Sequence, residues 1–229
     1  MEKSDLLTFF GEAQAKSYDE RWNKLAPVAN SLHFLIRIVL GNLPAKARIL
    51  CVGAGTGAEV LFLAEHFPQW TFTLVEPSGP MLKVAREKMK AAGISDRCDF
   101  HEDFLHTHVS ADLYDAATTL FVSQFLTVKT EREDFFKEIA KRLRPGGILI
   151  NSELTTPALC EEFDRMFDVW LRAQNLAPAE GVLLREAWNT QLAVSSDEQI
   201  QSVVQAGGFD RPVRFFQALF MCAWFSKKI

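Results

Sequence analysis

Between Ser4 and Leu43 the apolar residues return every three or four positions, and the pattern breaks near Pro27, which predicts two helices ahead of any strand. The first strand follows as the apolar run Ala47–Val52, held between Pro44 and Gly53 and suited to burial on both faces of a parallel sheet. Helical spacing over Ala58–Phe67, ended by Pro68, leads to a second strand over Thr71–Glu76, so this stretch reads as a βαβ unit. Alternation continues through a helix over Pro80–Gly93, with proline in its first turn and glycine past its end. Short strands over Arg97–Asp103 and Tyr114–Phe121 follow, then an amphipathic helix over Glu131–Leu143, an Arg-Pro-Gly-Gly turn and a strand over Ile148–Glu153. Strands alternating with helices in this way predict a doubly wound α/β sheet, mostly parallel, with ligand-binding loops at the carboxyl ends of its strands.

After Glu153 the rhythm changes. Leu159 to Ala193 carries long helical spacing, and a helix after Ser196, its expected N-cap, stops at Gly207 and Gly208. Val213–Phe216 and Leu219–Phe225 then stand too close for a crossover helix, so they must pair antiparallel. A mostly parallel sheet closed by one antiparallel hairpin is expected, in one domain spanning 1–229.

Composition narrows the function classes. With 48% hydrophobic and 24% charged residues in 229, the chain can bury a sizeable core. Its formal charge of −4 arises from interspersed acids and bases, which leaves no basic stripe for a phosphate backbone, so no direct nucleic-acid binding is expected. Strand four runs into Thr-Leu-Phe-Val-Ser-Gln, unlike the Asn/Asp-Pro-Pro-aromatic loop that serves base amines. Cys51, Cys98, Cys160 and Cys222 are widely separated, as reduced core thiols would be. Phe34–Leu40, the longest apolar run, is broken by Arg37 and is far shorter than the roughly 20 residues of a membrane span. The start of the chain lacks a signal-peptide pattern, and a cytoplasmic location without membrane association is expected. His101, His106 and His108 read as residues of a polar loop, with no metal site assigned.

The chemistry concentrates in Gly53-Ala54-Gly55-Thr56-Gly57 between the first strand and its helix. Glycines there allow a ligand to approach the backbone closely, whether a dinucleotide pyrophosphate or the nucleoside and amino-acid parts of S-adenosylmethionine. Glu76, ending the second strand, can grip a ribose diol in either case. Asp103 can accept from an adenine amino group while Phe104 packs on the ring, and the fourth strand delivers Leu120 and Phe121 to the crevice beside the glycines.

Taken in order with Leu-Val-Glu-Pro-Ser-Gly-Pro-Met-Leu, which contains Pro77 and Met81, and with the Arg-Pro-Gly-Gly turn and antiparallel ending, these motifs resemble those of class I S-adenosylmethionine-dependent methyltransferases. The resemblance implies a seven-stranded sheet of order 3-2-1-4-5-7-6 with strand 7 antiparallel, an N-terminal helical lid over 1–44 and a helical substrate cap over 156–194. It also implies S-adenosyl-L-methionine as cofactor, S-adenosyl-L-homocysteine as product and a small-molecule acceptor; a homodimer is compatible with it. Ser17–Pro27, Ser123–Leu126 and the Gly207–Gln217 segment resemble the subgroup that contains the carboxy-S-adenosylmethionine synthases of tRNA wobble-uridine modification. That likeness implies a lid role for Tyr18 and a methionine-carboxylate clamp for Arg21, and sets Arg185 about where a synthase grips its extra carboxylate. The alternatives are thus a synthase-like or S-adenosylmethionine-binding protein of tRNA modification and, with less in its favour, an NAD-dependent oxidoreductase. No catalytic base is assigned; Gln124 and Glu153 stand near the expected mouth.

Overall fold

The computed structural model describes residues 7–156, 161–173 and 178–229. Seven strands form one sheet in the order β3-β2-β1-β4-β5-β7-β6. They are β1 (Arg48–Val52), β2 (Thr71–Val75), β3 (Cys98–His101), β4 (Tyr114–Leu120), β5 (Leu143–Leu154), β6 (Val213–Ala218) and β7 (Met221–Lys227). The first five pair in parallel, whereas β7 runs antiparallel to both β5 and β6. The expected fold class and strand order are therefore present.

Helices α1 (Glu12–Asn23) and α2 (Ala26–Leu40) precede β1, α3 (Ala58–His66) follows it, and α4 (Gly79–Ala91) follows β2. Pro27 sits at the start of α2, where its missing N–H costs nothing, which explains the break between the first two helices. Helix α5 (Lys129–Arg142) follows β4, and α6 (Glu161–Ala173), α7 (Pro178–Thr190) and α8 (Asp197–Ala206) lie between β5 and β6. Ser196 caps α8 in a reciprocal box with Gln199.

Alternate residues of β1 enter different cores, as the strand period requires. Ile49 and Cys51 pack with Leu32, Ile36 and Leu40 of α2 and Val60 and Leu63 of α3. Leu50 and Val52 pack on the other face with Phe136 and Ile139 of α5 and Val203 and Val204 of α8. Because both faces are covered, β1, β2 and β4 are buried nearly end to end.

Two boundaries differ from expectation. β5 begins at Leu143, which pairs with Tyr114 before an irregularity; pairing resumes at Ile148, so the Arg-Pro-Gly-Gly stretch lies inside the strand. The hairpin between β6 and β7 turns through Leu219 and Phe220 alone, with Leu219 at φ 55°. Phe163, Phe167, Trp170 and Trp188 of α6 and α7 pack their rings around Phe220, with Trp170 and Trp188 at 4.8 and 4.9 Å from it. The helical insertion is thereby seated on the hairpin by aromatic contacts. Cys160 and the other residues of 157–160 and 174–177 fall outside the described residues, as do 1–6 at the start of the N-terminal region.

Candidate active site

At the carboxyl ends of β1, β2 and β4 a cavity of about 310 Å³ opens beside the glycine turn. The three glycines of the turn adopt positive φ, at 67° for Gly53, 55° for Gly55 and 76° for Gly57, but for different reasons. A Cβ on Gly53 would lie 2.4 Å from Val122 Cγ2, and one on Gly57 would lie 2.6 Å from Met89 Cε, so both glycines allow internal packing. On Gly55 it would meet nothing closer than Met81 Cε at 3.6 Å, and Gly53 and Gly55 both border the cavity. Gly55 leaves its room open to the cavity.

Glu76 holds this turn together. Its Oε2 accepts from Gly55 N and its Oε1 from Ser78 N, each at 2.9 Å, so one carboxylate ties β1's loop to the loop before α4. Burial pushes its pKa up against the opposing effect of those two N–H donors. A buried carboxylate bordering a cavity is poised to accept from ligand hydroxyls.

The N-terminal helix closes one side. Thr56 Oγ1 donates to Asp19 Oδ1 at 2.6 Å, and Lys88 Nζ of α4 lies 2.5 Å from Asp19 Oδ2, so α1 is clipped to the glycine turn and to α4. Ser78 Oγ donates to Phe10 O at 2.6 Å and holds the segment before α1. This clipping brings an aromatic belt to the cavity: Phe10 lies edge-on to Phe125 at 5.5 Å, Tyr18 is 6.1 Å from Trp22, and Trp22 is 5.7 Å from Phe121. Phe121 sits at φ 59°, unusual for a bulky residue, and is held there because Ser152 O and Oγ both accept from its N–H.

Of the residues singled out in the sequence, Tyr18, Gly53, Gly55, Glu76, Pro77, Met81, Leu120 and Phe121 border the cavity. Ala54, Thr56, Gly57, Asp103 and Phe104 do not. Thr56 is buried against Asp19, and Asp103 is exposed with its Oδ1 accepting from Phe104 N at 2.7 Å, so it turns back on its own loop. The Arg21 side chain lies outside the described residues. Phe9, Phe10, Trp22, Phe125 and Leu184 border the cavity without having been singled out. For Trp22 the available signal was its place on α1 one turn after Tyr18.

Glu153 is not at the mouth. It is 1% exposed, accepts from Ser123 Oγ at 2.5 Å, and faces Arg132 Nη2 at 3.7 Å in the sheet's other core. Burial raises its pKa and Arg132 opposes the rise. Gln124 does border the cavity, its Oε1 accepting from Leu154 N at 3.0 Å. Arg185 is engaged elsewhere, by Asp164 Oδ1 at 2.9 Å and Asp168 Oδ1 at 2.6 Å, and lies over Phe167. His101 contacts Thr107 Oγ1 at 2.7 Å and His108 contacts Tyr114 OH at 2.8 Å. Among the described residues no cluster of His, Cys, Asp and Glu is arranged to hold a metal ion, and no helix is long and apolar enough to cross a membrane.

Residues 50–149 match the family model described as "Methyltransferase domain". The chain is 25% identical over 205 residues to a carboxy-S-adenosyl-L-methionine synthase of Campylobacter hominis, covering 87% of this chain and 86% of the relative. Among solved structures it is similar to an O-methyltransferase family 2 protein of Planctomyces limnophilus in complex with apigenin, with TM-score 0.67, 16% identity, and coverage of 100% of this chain and 62% of that one. It is also similar to the N-methyltransferase NodS of Bradyrhizobium japonicum, with TM-score 0.58, 15% identity, and coverage of 88% and 97% of the two chains.

Proposed function

We infer, from the premise that this chain belongs to the class I S-adenosylmethionine-dependent methyltransferases, that its cavity seats that cofactor on Gly53 and Gly55 and admits a small-molecule acceptor beside it. The observation that carries the reading is Glu76, a buried carboxylate that borders the cavity while tying Gly55 to Ser78. A diol meeting it would gain two charge-assisted hydrogen bonds in a low-dielectric setting. Tyr18, Pro77, Met81, Leu120 and Phe121 would then pack on the ligand's apolar parts. Ala54, Thr56 and Gly57 would shape the turn that seats it. Arg21 is assigned to the amino-acid carboxylate from the family likeness, and Asp103 with Phe104 to the adenine edge.

S-adenosyl-L-methionine brings an already activated sulfonium methyl group. The protein's contribution is alignment and exclusion of water, which the aromatic belt and the helical insertion favour. Residues 1–44 act as a lid and 156–194 as a cap in this reading. We assign a cytoplasmic enzyme with no nucleic-acid partner, in keeping with its interspersed charge of −4, and a homodimer is compatible.

The relative's name favours a second reading, synthesis or binding of carboxy-S-adenosylmethionine. Against it stands Arg185, paired with two aspartates away from the cavity lining. Calorimetric titration of S-adenosyl-L-methionine, its carboxy derivative and NAD tests all three. Tight binding of the first is expected; preference for the carboxy derivative supports the second reading, and preference for NAD refutes both.

A further inference from the structure

Most of the cavity wall away from Glu76 comes from Phe10, Phe125, Leu154, Leu184, Ala187 and Met221, contributed by the N-terminal segment, the loop after β4, the end of β5, α7 and the start of β7. Polar side chains among the described lining residues, besides Glu76, Ser78 and Tyr18, are the amides of Gln14, Gln124 and Gln191 and the indoles of Trp22 and Trp170, all of them uncharged. Gln124 is buried, and its Oε1 is already committed to Leu154 N at 3.0 Å. Among the described lining residues there is no Lys, Arg, His or Asp, and the ionisable ones are Glu76 and Tyr18. The buried ion pair of Arg132 with Glu153 faces the opposite core and does not border the cavity.

An anionic acceptor entering this space would lose its hydration and meet no cation among the described lining residues, and a cationic one would find Glu76, the single carboxylate among them, given over to the cofactor's diol in the reading above, a cost that burial makes steep. Among the described lining residues an alcohol or acid would also meet no His or Asp and no carboxylate other than Glu76, which the reading above commits to the cofactor's diol, to take its proton. We propose that the acceptor is an uncharged, flat, largely apolar molecule that offers a lone pair without losing a proton, with an aromatic ring nitrogen as the type. The inference rests on the methyltransferase reading above. The acceptor's lone pair forms the new bond to the methyl carbon while the carbon–sulfur bond breaks and its electron pair stays on sulfur. The ring nitrogen takes over the positive charge, so the step balances with no proton transferred. The rings of Phe10, Trp22, Phe121 and Phe125 supply faces and edges on which such a molecule stacks.

The test uses three probes on one fused bicyclic ring frame with the full chain: isoquinoline, 2-naphthoate and 2-naphthylmethylammonium. S-adenosyl-L-homocysteine is titrated first, and failure to bind refutes the cofactor reading itself. With the protein saturated in that ligand, calorimetry is expected to show isoquinoline binding and both ions binding at least about 30-fold more weakly. Equal or tighter binding of either ion, or no binding of isoquinoline, overturns the acceptor proposal while leaving the cofactor reading intact. Gln191 is exposed at the cavity edge, so Gln191→Arg adds a cation without disturbing the core. That variant is expected to gain about tenfold affinity for 2-naphthoate by supplying the missing charge. No gain, in a variant that melts with the wild type, also overturns the proposal.

Discussion

Arg132→Met isolates the value of a single buried cation. Arg132 is 4% exposed and Glu153 is 1% exposed. The guanidinium donates to Ser123 Oγ through Nε at 3.3 Å and Nη2 at 3.2 Å, and to Ser195 Oγ through Nη1 at 2.9 Å. Methionine fills similar volume but leaves the Glu153 carboxylate with Ser123 Oγ as its donor. Removing one partner of a buried pair costs about 3–5 kcal/mol, because an uncompensated charge stays behind. For a chain of this size that is roughly 6–20 °C in melting temperature. The cost has a pH signature. Glu153 already has a raised pKa, and losing the opposing cation raises it further, so the folded variant holds its proton to higher pH than the unfolded chain does. Stability of the variant therefore falls as pH rises from the ordinary carboxylate value through the raised one, and its gap to wild type widens over that interval. Urea titrations at a series of pH values read this directly. Arg132→Met/Glu153→Gln should recover most of the loss. A single variant within about 1 kcal/mol of wild type, or a double variant no better than the single, would refute the claim that the pair is energetically coupled.

Gly55→Val places a β-branched side chain where a ligand would lie, and is expected to abolish S-adenosyl-L-methionine binding in calorimetry; unchanged affinity would remove the turn from the site. Gly53→Ala instead drives a Cβ onto Val122 at positive φ, so urea titration should show about 2–4 kcal/mol of lost stability. With Glu76 buried and its pKa raised, wild-type cofactor affinity should weaken as pH falls through that raised value. In Glu76→Gln, affinity should be low and flat over the same range; a parallel slope in both proteins would exclude Glu76 as the titrating group. Asp19→Ala should change global stability by less than about 1 kcal/mol while making Glu12–Asn23 easier to cut in limited proteolysis. Equal cutting rates would show that the clip does not hold the helix.

The parallel half of the fold is legible in the sequence because β1, β2 and β4 carry apolar runs that burial on two faces demands, and prolines and glycines mark their ends. The hairpin is legible from connection length alone. The start of β5 is not, since Leu143 pairs with Tyr114 across an irregularity that a glycine-proline turn signal conceals. Within the site, residues on the sheet's own loops, such as Gly55, Glu76 and Leu120, could be placed on the cavity because topology puts strand ends there. Phe10, Trp22 and Phe125 could not. Their positions depend on contacts between distant segments, Asp19 with Thr56 and Lys88 and Ser78 with Phe10 O, which no local period encodes. Asp103 shows the converse: a motif position whose carboxylate turns to its own backbone.

The left-handed backbone at Phe121 has an evolutionary meaning. Glycine at that position would relieve strain of about 1 kcal/mol or more, yet it would delete the ring that meets Trp22 at 5.7 Å. Selection for robustness alone would favour the glycine, whereas selection for a closed aromatic wall favours the phenylalanine. Residue 121 is thus a place where stability and activity trade against each other, and a library screened only for thermal tolerance should drift there toward a more durable protein with a leakier cavity.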